Sequence, residues 1–145
     1  MRTNKKLELV EVNTADLEGM ALDYAVGMAE GKELELPGSV RGRTSIVWCD
    51  PFVVKNEGRP DFHDKTRRKW EPSTDWSQGG PLIVANQLTI EPSAWDVTGA
   101  CVLWRAQEQD AWVFFEHKTV LVAAMRAVTY AKCGPTVSVP KLLLS

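Results

Sequence analysis

Glu71-Pro72-Ser73-Thr74-Asp75-Trp76-Ser77-Gln78-Gly79-Gly80-Pro81 is the stretch around which the rest of the chain is organised. It places hydrogen-bonding side chains, an indole ring and two glycines between two prolines. Ser, Thr and Asp accept hydrogen bonds from the free N–H groups of a helix N-terminus, which predicts a turn before a helix. The same stretch could hold a ligand, because glycines let a ligand approach the backbone and helix N-termini favour anions. Proline is tolerated in a first helical turn, so we expect a short helix from Pro81 through Ala85.

The composition is that of a soluble globular protein. The chain has 145 residues, of which 44% are hydrophobic and 25% charged, and it is long enough to bury the core of a single domain. The net charge of −2 gives no global attraction to nucleic acid or to an anionic membrane. No apolar run approaches the roughly 20 residues that cross a bilayer, and Met1–Val12 lacks the apolar centre of a signal peptide. We therefore expect no membrane association and a cytoplasmic location.

The cysteines and histidines do not form a recognisable catalytic or metal-binding set. Cys49, Cys101 and Cys133 are odd in number and lack C-x-x-C spacing, which disfavours a disulfide framework and a zinc site. A metal phosphohydrolase site at His63-Asp64 would need further His ligands, and His117 is the one other histidine. Nucleophile-elbow, P-loop and zinc-deaminase motifs are absent. We expect a non-catalytic protein with no cofactor and no bound metal.

Two segments have the periodicity of amphipathic helices. The first follows Thr14 as a cap and ends near Gly31, and the second begins at Lys118 or Thr119 and stops at Gly134-Pro135. The apolar positions expected to face the core are Leu17, Met20, Ala21, Tyr24 and Met28 in the first helix, and Val120, Leu121, Ala124, Met125 and Val128 in the second.

Short runs of β-branched and aromatic residues predict strands between and around these helices. The predicted strands are Leu7–Val12, Thr44–Cys49, Leu88–Ile90, Ala100–Arg105 and Thr136–Val139, and Trp112–Phe115 is either a strand or the approach to a helix. Asp50-Pro51 is expected to end the second strand. This order predicts an α+β fold, a compact single domain with two main helices and a mixed or antiparallel sheet.

The segment from Lys55 to Lys69 is polar and has little periodicity, which predicts a long, mobile basic loop at about 55–70. It carries six basic side chains against three acidic ones, a local charge of +3. A minority hypothesis is that its basic end binds single-stranded nucleic acid through charge and stacking. The residues for that role are Arg67, Arg68, Lys69 and Trp70.

Four segments resemble the phage NinX-like family of small proteins. They are Leu22–Val26, Pro72–Pro81, Trp104–Ala106 and Ala123–Arg126. The similarity extends from Ala15 to Pro140, and the P-S-T-D-W-S-Q-G-G-P run is its most specific part. The resemblance implies a bacteriophage or prophage accessory protein acting in the bacterial cytoplasm, in a family without a settled biochemical role. The basic loop departs from the family pattern because it is longer and more charged, so any role of that loop would be particular to this chain.

The candidate ligand site joins the stretch Glu71–Pro81, called the central stretch below, to residues of other segments. Arg126 could offer a guanidinium fork to a phosphate or carboxylate, Trp104 a second aromatic face, and Asp23 a carboxylate that orients a donor. The complete candidate set is Asp23, Tyr24, Ser73, Thr74, Asp75, Trp76, Gln78, Gly79, Gly80, Trp104 and Arg126. The structural alternative is a core Tyr24, a solvated or capping Asp23, an ion-paired Arg126 and tryptophans that anchor the fold.

These residues favour a phage accessory protein that binds a small anionic or nucleotide-like molecule, for example by sequestering a host signal. The alternative is a protein–protein interaction module that acts on a host protein, in which the central stretch is a rigid turn. A homo-oligomer is compatible with the first hypothesis, since small ligand-binding proteins often build pockets between subunits.

Overall fold

The computed structural model describes residues 7–55 and 57–144. Three α-helices and eight β-strands lie within this part of the chain. The helices are α1 (Gly19–Ala29), α2 (Trp76–Ala85) and α3 (Val120–Cys133). The strands are β1 (Leu9–Asn13), β2 (Leu34–Glu35), β3 (Val47–Val54), β4 (Phe62–Lys69), β5 (Thr89–Trp95), β6 (Cys101–Gln107), β7 (Phe114–His117) and β8 (Thr136–Pro140). The expectations that concern residues 1–6 and Asn56 lie outside the described residues.

The strands pair in three small antiparallel sheets, β1-β8, β2-β3-β4 and β5-β6-β7. Helix α3 packs against α1, α2, β6 and β7, and eight of its residues are buried, so the core forms around this helix. The α+β class, the antiparallel pairing and the two main helices are confirmed. No helix of the described residues is both long and apolar enough to span a bilayer.

Helix α1 begins later than predicted. Thr14 starts a 3-10 turn that ends at Asp16, and its hydroxyl donates to the Gly134 carbonyl oxygen at 2.7 Å rather than capping a helix. Met20 and Met28 are exposed, so their placement in the buried stripe was wrong. The predicted Ala21 is buried, and the other apolar side chains that α1 buries are Leu22, Ala25 and Val26, which lie one position further along the helix than the predicted stripe.

The predicted end of α1 at Gly31 is confirmed by the hydrogen bonds of a Schellman motif. The N–H of Gly31 donates to the Met28 carbonyl at 3.2 Å, and the N–H of Lys32 donates to the Gly27 carbonyl at 2.8 Å. Gly31 has a φ of +71°, a left-handed conformation that glycine adopts without steric cost.

Strands β3 and β4 correct two predictions. Strand β3 continues through Asp50-Pro51 to Val54; the proline is tolerated because β2 pairs with Val47 and Trp48 alone, which leaves this edge of β3 open. Strand β4 occupies the second half of the predicted basic loop. All eight of its residues are exposed, so the sequence has no buried face from which an alternating pattern could arise.

Helix α2, in contrast to α1, starts earlier than predicted, at Trp76 instead of Pro81. Pro81 lies inside the helix, where its missing N–H leaves the carbonyl of exposed Ser77 to be hydrated. Strand β5 likewise runs through Pro92 as far as Trp95, with an irregular register after the proline.

Candidate functional site

The central stretch folds as a turn followed by α2. The Glu71 carbonyl oxygen accepts hydrogen bonds from the N–H groups of Thr74 at 3.0 Å and Asp75 at 2.9 Å, which closes the turn. The Asp75 carboxylate then accepts the backbone N–H of Ser77 at 2.9 Å and its hydroxyl at 2.7 Å. Asp75 is thus the N-cap of the helix. Thr74 is exposed, and its hydroxyl makes a 3.3 Å contact with the Glu71 carbonyl.

Gln78 uses both ends of its amide to hold the turn against the end of β4. Its Oε1 accepts the N–H of Glu71 at 2.7 Å, and its Nε2 donates to the carbonyl oxygen of Lys69 at 2.6 Å. Two backbone groups on either side of Trp70 are therefore satisfied by one side chain. This amide is occupied within the fold.

Gly79 lies where α2 approaches both the turn and α3. A Cβ at this position would press on the Pro72 carbonyl oxygen and lie 2.8 Å from Cδ2 of Leu121. A Cβ at Gly80 would meet Cε3 of Trp76 at an ordinary 3.9 Å. The absence of a side chain is therefore required for packing at Gly79 and is not required at Gly80.

Asp23 lies beneath the turn and is 4% exposed. Its Oδ1 accepts the backbone N–H of Ser73 at 2.9 Å, and its backbone carbonyl accepts Nε1 of Trp70 at 2.8 Å. Burial raises the pKa of this carboxyl from 3.8 to about 6, against the opposing effect of the hydrogen bonds from Ser73. The expectation that Asp23 is solvated was wrong, because its carboxylate lies under the central stretch and accepts a backbone N–H of that stretch.

Arg126 is buried at the other end of α1. Its Nε donates to the Leu17 carbonyl oxygen at 2.9 Å, and its Nη2 lies 3.3 Å from Oε1 of Glu18. Oε1 of Glu18 is also 3.5 Å from Nε2 of His117. Arg126 therefore pairs with the segment that starts α1, and its hydrogen bonds go to that segment rather than to the central stretch.

Tyr24 and Trp104 are both partly buried. Tyr24 packs against the buried cluster from the edge of α1. Trp104 is on β6, opposite Pro92 of β5 and His117 of β7. The structure thus brings Asp23 to the central stretch, while the described contacts of Tyr24 and Trp104 belong to the fold.

The residues proposed for nucleic-acid binding are engaged with protein groups. Trp70 is 3% exposed, and its ring meets Trp48 edge-on with 5.4 Å between centroids, so it is not available to stack on a base. The three basic residues at the end of β4 each lie near a carboxylate: Arg67 by Glu35 at 3.4 Å, Arg68 by Asp50 at 3.7 Å and Lys69 by Glu71 at 3.2 Å.

The structure exposes three tryptophans, and sequence reasoning had named one of them. Trp76, Trp95 and Trp112 are 58%, 58% and 97% exposed. The sequence signal for Trp112 is its place just after the polar residues 107–110, but only the fold shows that no element of the described residues covers it. Among the described residues, no group of three or more His, Cys, Asp or Glu side chains could hold a metal ion.

Comparison with known proteins identifies one family. The family model described as Bacteriophage P22, NinX matches residues 13–132, a range that includes Asp23, the central stretch and Arg126. No curated protein matches the chain.

Proposed function

The chain belongs to the bacteriophage P22 NinX family, and we propose that this phage accessory protein acts without catalysis, by binding a protein of its bacterial host. The place of action would be the bacterial cytoplasm. Host-protein binding is favoured over small-ligand binding for two reasons. The polar groups of the central stretch are hydrogen-bonded within the chain, and three tryptophan side chains are exposed.

The exposure of three tryptophans is the observation that carries the proposal. Trp76, Trp95 and Trp112 each keep more than half of their surface accessible. Tryptophan is among the residues that contribute most to the binding energy at protein interfaces, and its burial removes a large apolar area from water. An exposed indole is therefore a side chain that a second macromolecule could cover with a gain in binding free energy.

The hydrogen bonds of the central stretch support the same choice. The Asp23 carboxylate, the Asp75 cap and the Gln78 amide each have partners inside the chain. A ligand that used these groups would have to replace existing hydrogen bonds, which leaves little net gain in free energy. The stretch is therefore best assigned to building the turn that presents Trp76.

To test this, a bacterial lysate is passed over the tagged, immobilised phage protein, and the host proteins that it retains are identified. We expect one host protein at a stoichiometric ratio, and we expect Trp76→Ala, Trp95→Ala or Trp112→Ala to weaken its binding by roughly tenfold or more. Val40→Ala is the matched control, because Val40 is also exposed but lies in the turn before β3. Recovery of no host protein, or recovery unaffected by all three tryptophan variants, would rule out the proposal.

A small anionic or nucleotide-like ligand is the second candidate. Its support is the exposed ring of Trp76 beside the first turn of α2, where backbone N–H groups favour negative charge. Calorimetry with nucleotides and cyclic nucleotides tests it, with Trp76→Ala as the variant that should abolish binding. Sedimentation of the purified protein separates both candidates from self-association into a homo-oligomer.

A further inference from the structure

The sheet β5-β6-β7 has one face on α3 and one face on solvent. Ala106 and Phe115 are buried and paired in register, and β6 and β7 pack against α3. Because side chains alternate along a strand, their neighbours point to the opposite side. We call that side the outer face; its exposed or half-exposed members include Glu91, Trp95, Arg105, Phe114 and Glu116.

The outer face belongs to an acidic part of the chain. Between Thr89 and His117 the sequence has one basic side chain, Arg105, and five carboxylates, which are Glu91, Asp96, Glu108, Asp110 and Glu116. The formal charge of this segment is therefore −4. The chain as a whole carries −2, so the negative charge is concentrated here.

The single guanidinium is engaged within the face. Arg105 lies between Glu91 and Glu116 in the strand register, 3.5 Å from the Glu91 carboxylate. Its guanidinium carbon is 4.0 Å from the centroid of the Phe114 ring, a cation–π contact. One cation between two carboxylates leaves the face with an excess of negative charge.

Exposed aromatic side chains at both ends of the sheet accompany this charge. The loop 108–113 is tied to the outer face by Gln107, whose Nε2 donates to the Ala111 carbonyl at 2.6 Å, and it presents Trp112 next to Asp110. At the other end of the sheet, Trp95 precedes a turn in which Asp96 Oδ1 accepts two backbone N–H groups and the Thr98 hydroxyl. These hydrogen bonds hold the backbone next to each tryptophan before binding, which reduces the backbone entropy lost on association.

We propose that the outer face, together with the loop 108–113, docks a host protein that presents a basic surface with an apolar pocket, and that Trp112 fills this pocket. The inference rests on the proposed function and specifies its partner by charge. The carboxylates of this segment attract Lys and Arg side chains and raise the association rate. The same charge repels the phosphates of nucleic acid and of anionic lipids, so neither of these fits this face.

The experiment divides a bacterial lysate on a heparin column into a retained fraction, which is enriched in basic surfaces, and a flow-through. Each fraction is applied to immobilised full-length protein. We expect the partner in the retained fraction, with capture that falls as salt is raised. We also expect Trp112→Ala and the double variant Glu91→Gln with Asp110→Asn each to reduce capture by roughly tenfold or more.

Matched controls separate this surface from general charge effects. The double variant Glu11→Gln with Glu57→Gln removes the same formal charge at exposed positions outside the segment, and it should leave capture unchanged. Trp112 is 97% exposed, so its replacement does not disturb the core.

The possible outcomes separate the two proposals. Capture from the flow-through alone, or capture unaffected by the outer-face variants, overturns this inference and leaves host-protein binding standing. Capture from neither fraction overturns the proposed function, and the inference fails with it. Self-association that is abolished by Trp112→Ala would identify a second copy as the occupant and would also overturn the inference.

Discussion

The carboxylate of Asp23 accepts the backbone N–H of Ser73 at 2.9 Å and thereby joins α1 to the turn before α2. Both residues are almost fully buried, at 4% and 1% exposure. A buried carboxylate is stabilised by such hydrogen bonds, but the loss of hydration disfavours its charged form. The contact therefore makes the stability of the turn depend on pH.

We expect the ionisation of Asp23 to lower the free energy of unfolding as pH rises. Its pKa is raised from 3.8 to about 6 by burial, with Glu71 raising it further and Lys69 lowering it, so the folded chain holds this proton more tightly than the unfolded chain. The favourable contribution is complete below pH 3.8 and is lost as pH rises toward 6. Two pKa units correspond to roughly 3 kcal/mol. Urea unfolding of wild type and Asp23→Asn between pH 3.5 and 7 measures this difference.

Asp23→Asn keeps an oxygen that can accept the Ser73 N–H, so the variant isolates the effect of charge. Other titrating groups are common to both proteins and cancel in the difference. The free energy of unfolding of the variant should rise relative to that of wild type as pH increases toward 6. Above that pH the difference between the two proteins should stay constant. A difference that does not change with pH would show that the pKa of Asp23 is the same in the folded and the unfolded chain.

Gly79→Ala is expected to destabilise the protein, although alanine is the better helix former. The added Cβ would clash with the Pro72 carbonyl oxygen and with Leu121, and such overpacking costs about 1–3 kcal/mol. Gly80→Ala, one residue along the same helix, has room for a Cβ and should gain roughly 0.5–1 kcal/mol. Chemical denaturation compares the two, and the same sign for both variants would contradict the packing described for α2.

Helix α3 was predictable because its signals are local. In α3, the apolar spacing, Thr119 at the N-cap, Lys132 in the last turn and Gly134 after the helix all appear in a short segment of sequence and match the structure. Strand β4 lacks such a signal, because its residues are exposed on both faces and carry no alternating pattern.

The sequence draws attention to individual polar residues but does not specify the partners that they have in the fold. Asp23 and Ser73 are fifty positions apart. They come into contact because α1 packs under the turn, and this contact buries the carboxylate of Asp23. Gln78 was named as a hydrogen-bonding group, but its use for Lys69 and Glu71 depends on how the turn closes. Arg126 was placed correctly on α3, and its partner at Leu17 follows from a packing between helices that the sequence does not specify.

Arg126→Ala is expected to lower the free energy of unfolding by roughly 2–4 kcal/mol, because it leaves the buried Leu17 carbonyl oxygen without its donor and removes packed volume. The side chain of Glu18 is 68% exposed, and an exposed ion pair contributes little. Glu18→Gln should therefore cost less than about 1 kcal/mol. Urea unfolding of the two variants separates the carbonyl contact from the ion pair.

The comparison also distinguishes a structural Arg126 from a ligand-binding one. If Arg126 holds the start of α1, Arg126→Lys should lose part of the stability, since a lysine ammonium cannot reproduce the guanidinium fork that reaches both Leu17 and Glu18. If its main role were to bind an anion, Arg126→Ala would leave stability near the wild-type value and abolish nucleotide binding in calorimetry. Equal losses for Arg126→Ala and Glu18→Gln would instead assign the energy to the ion pair, which would contradict the buried hydrogen bond as the main contribution.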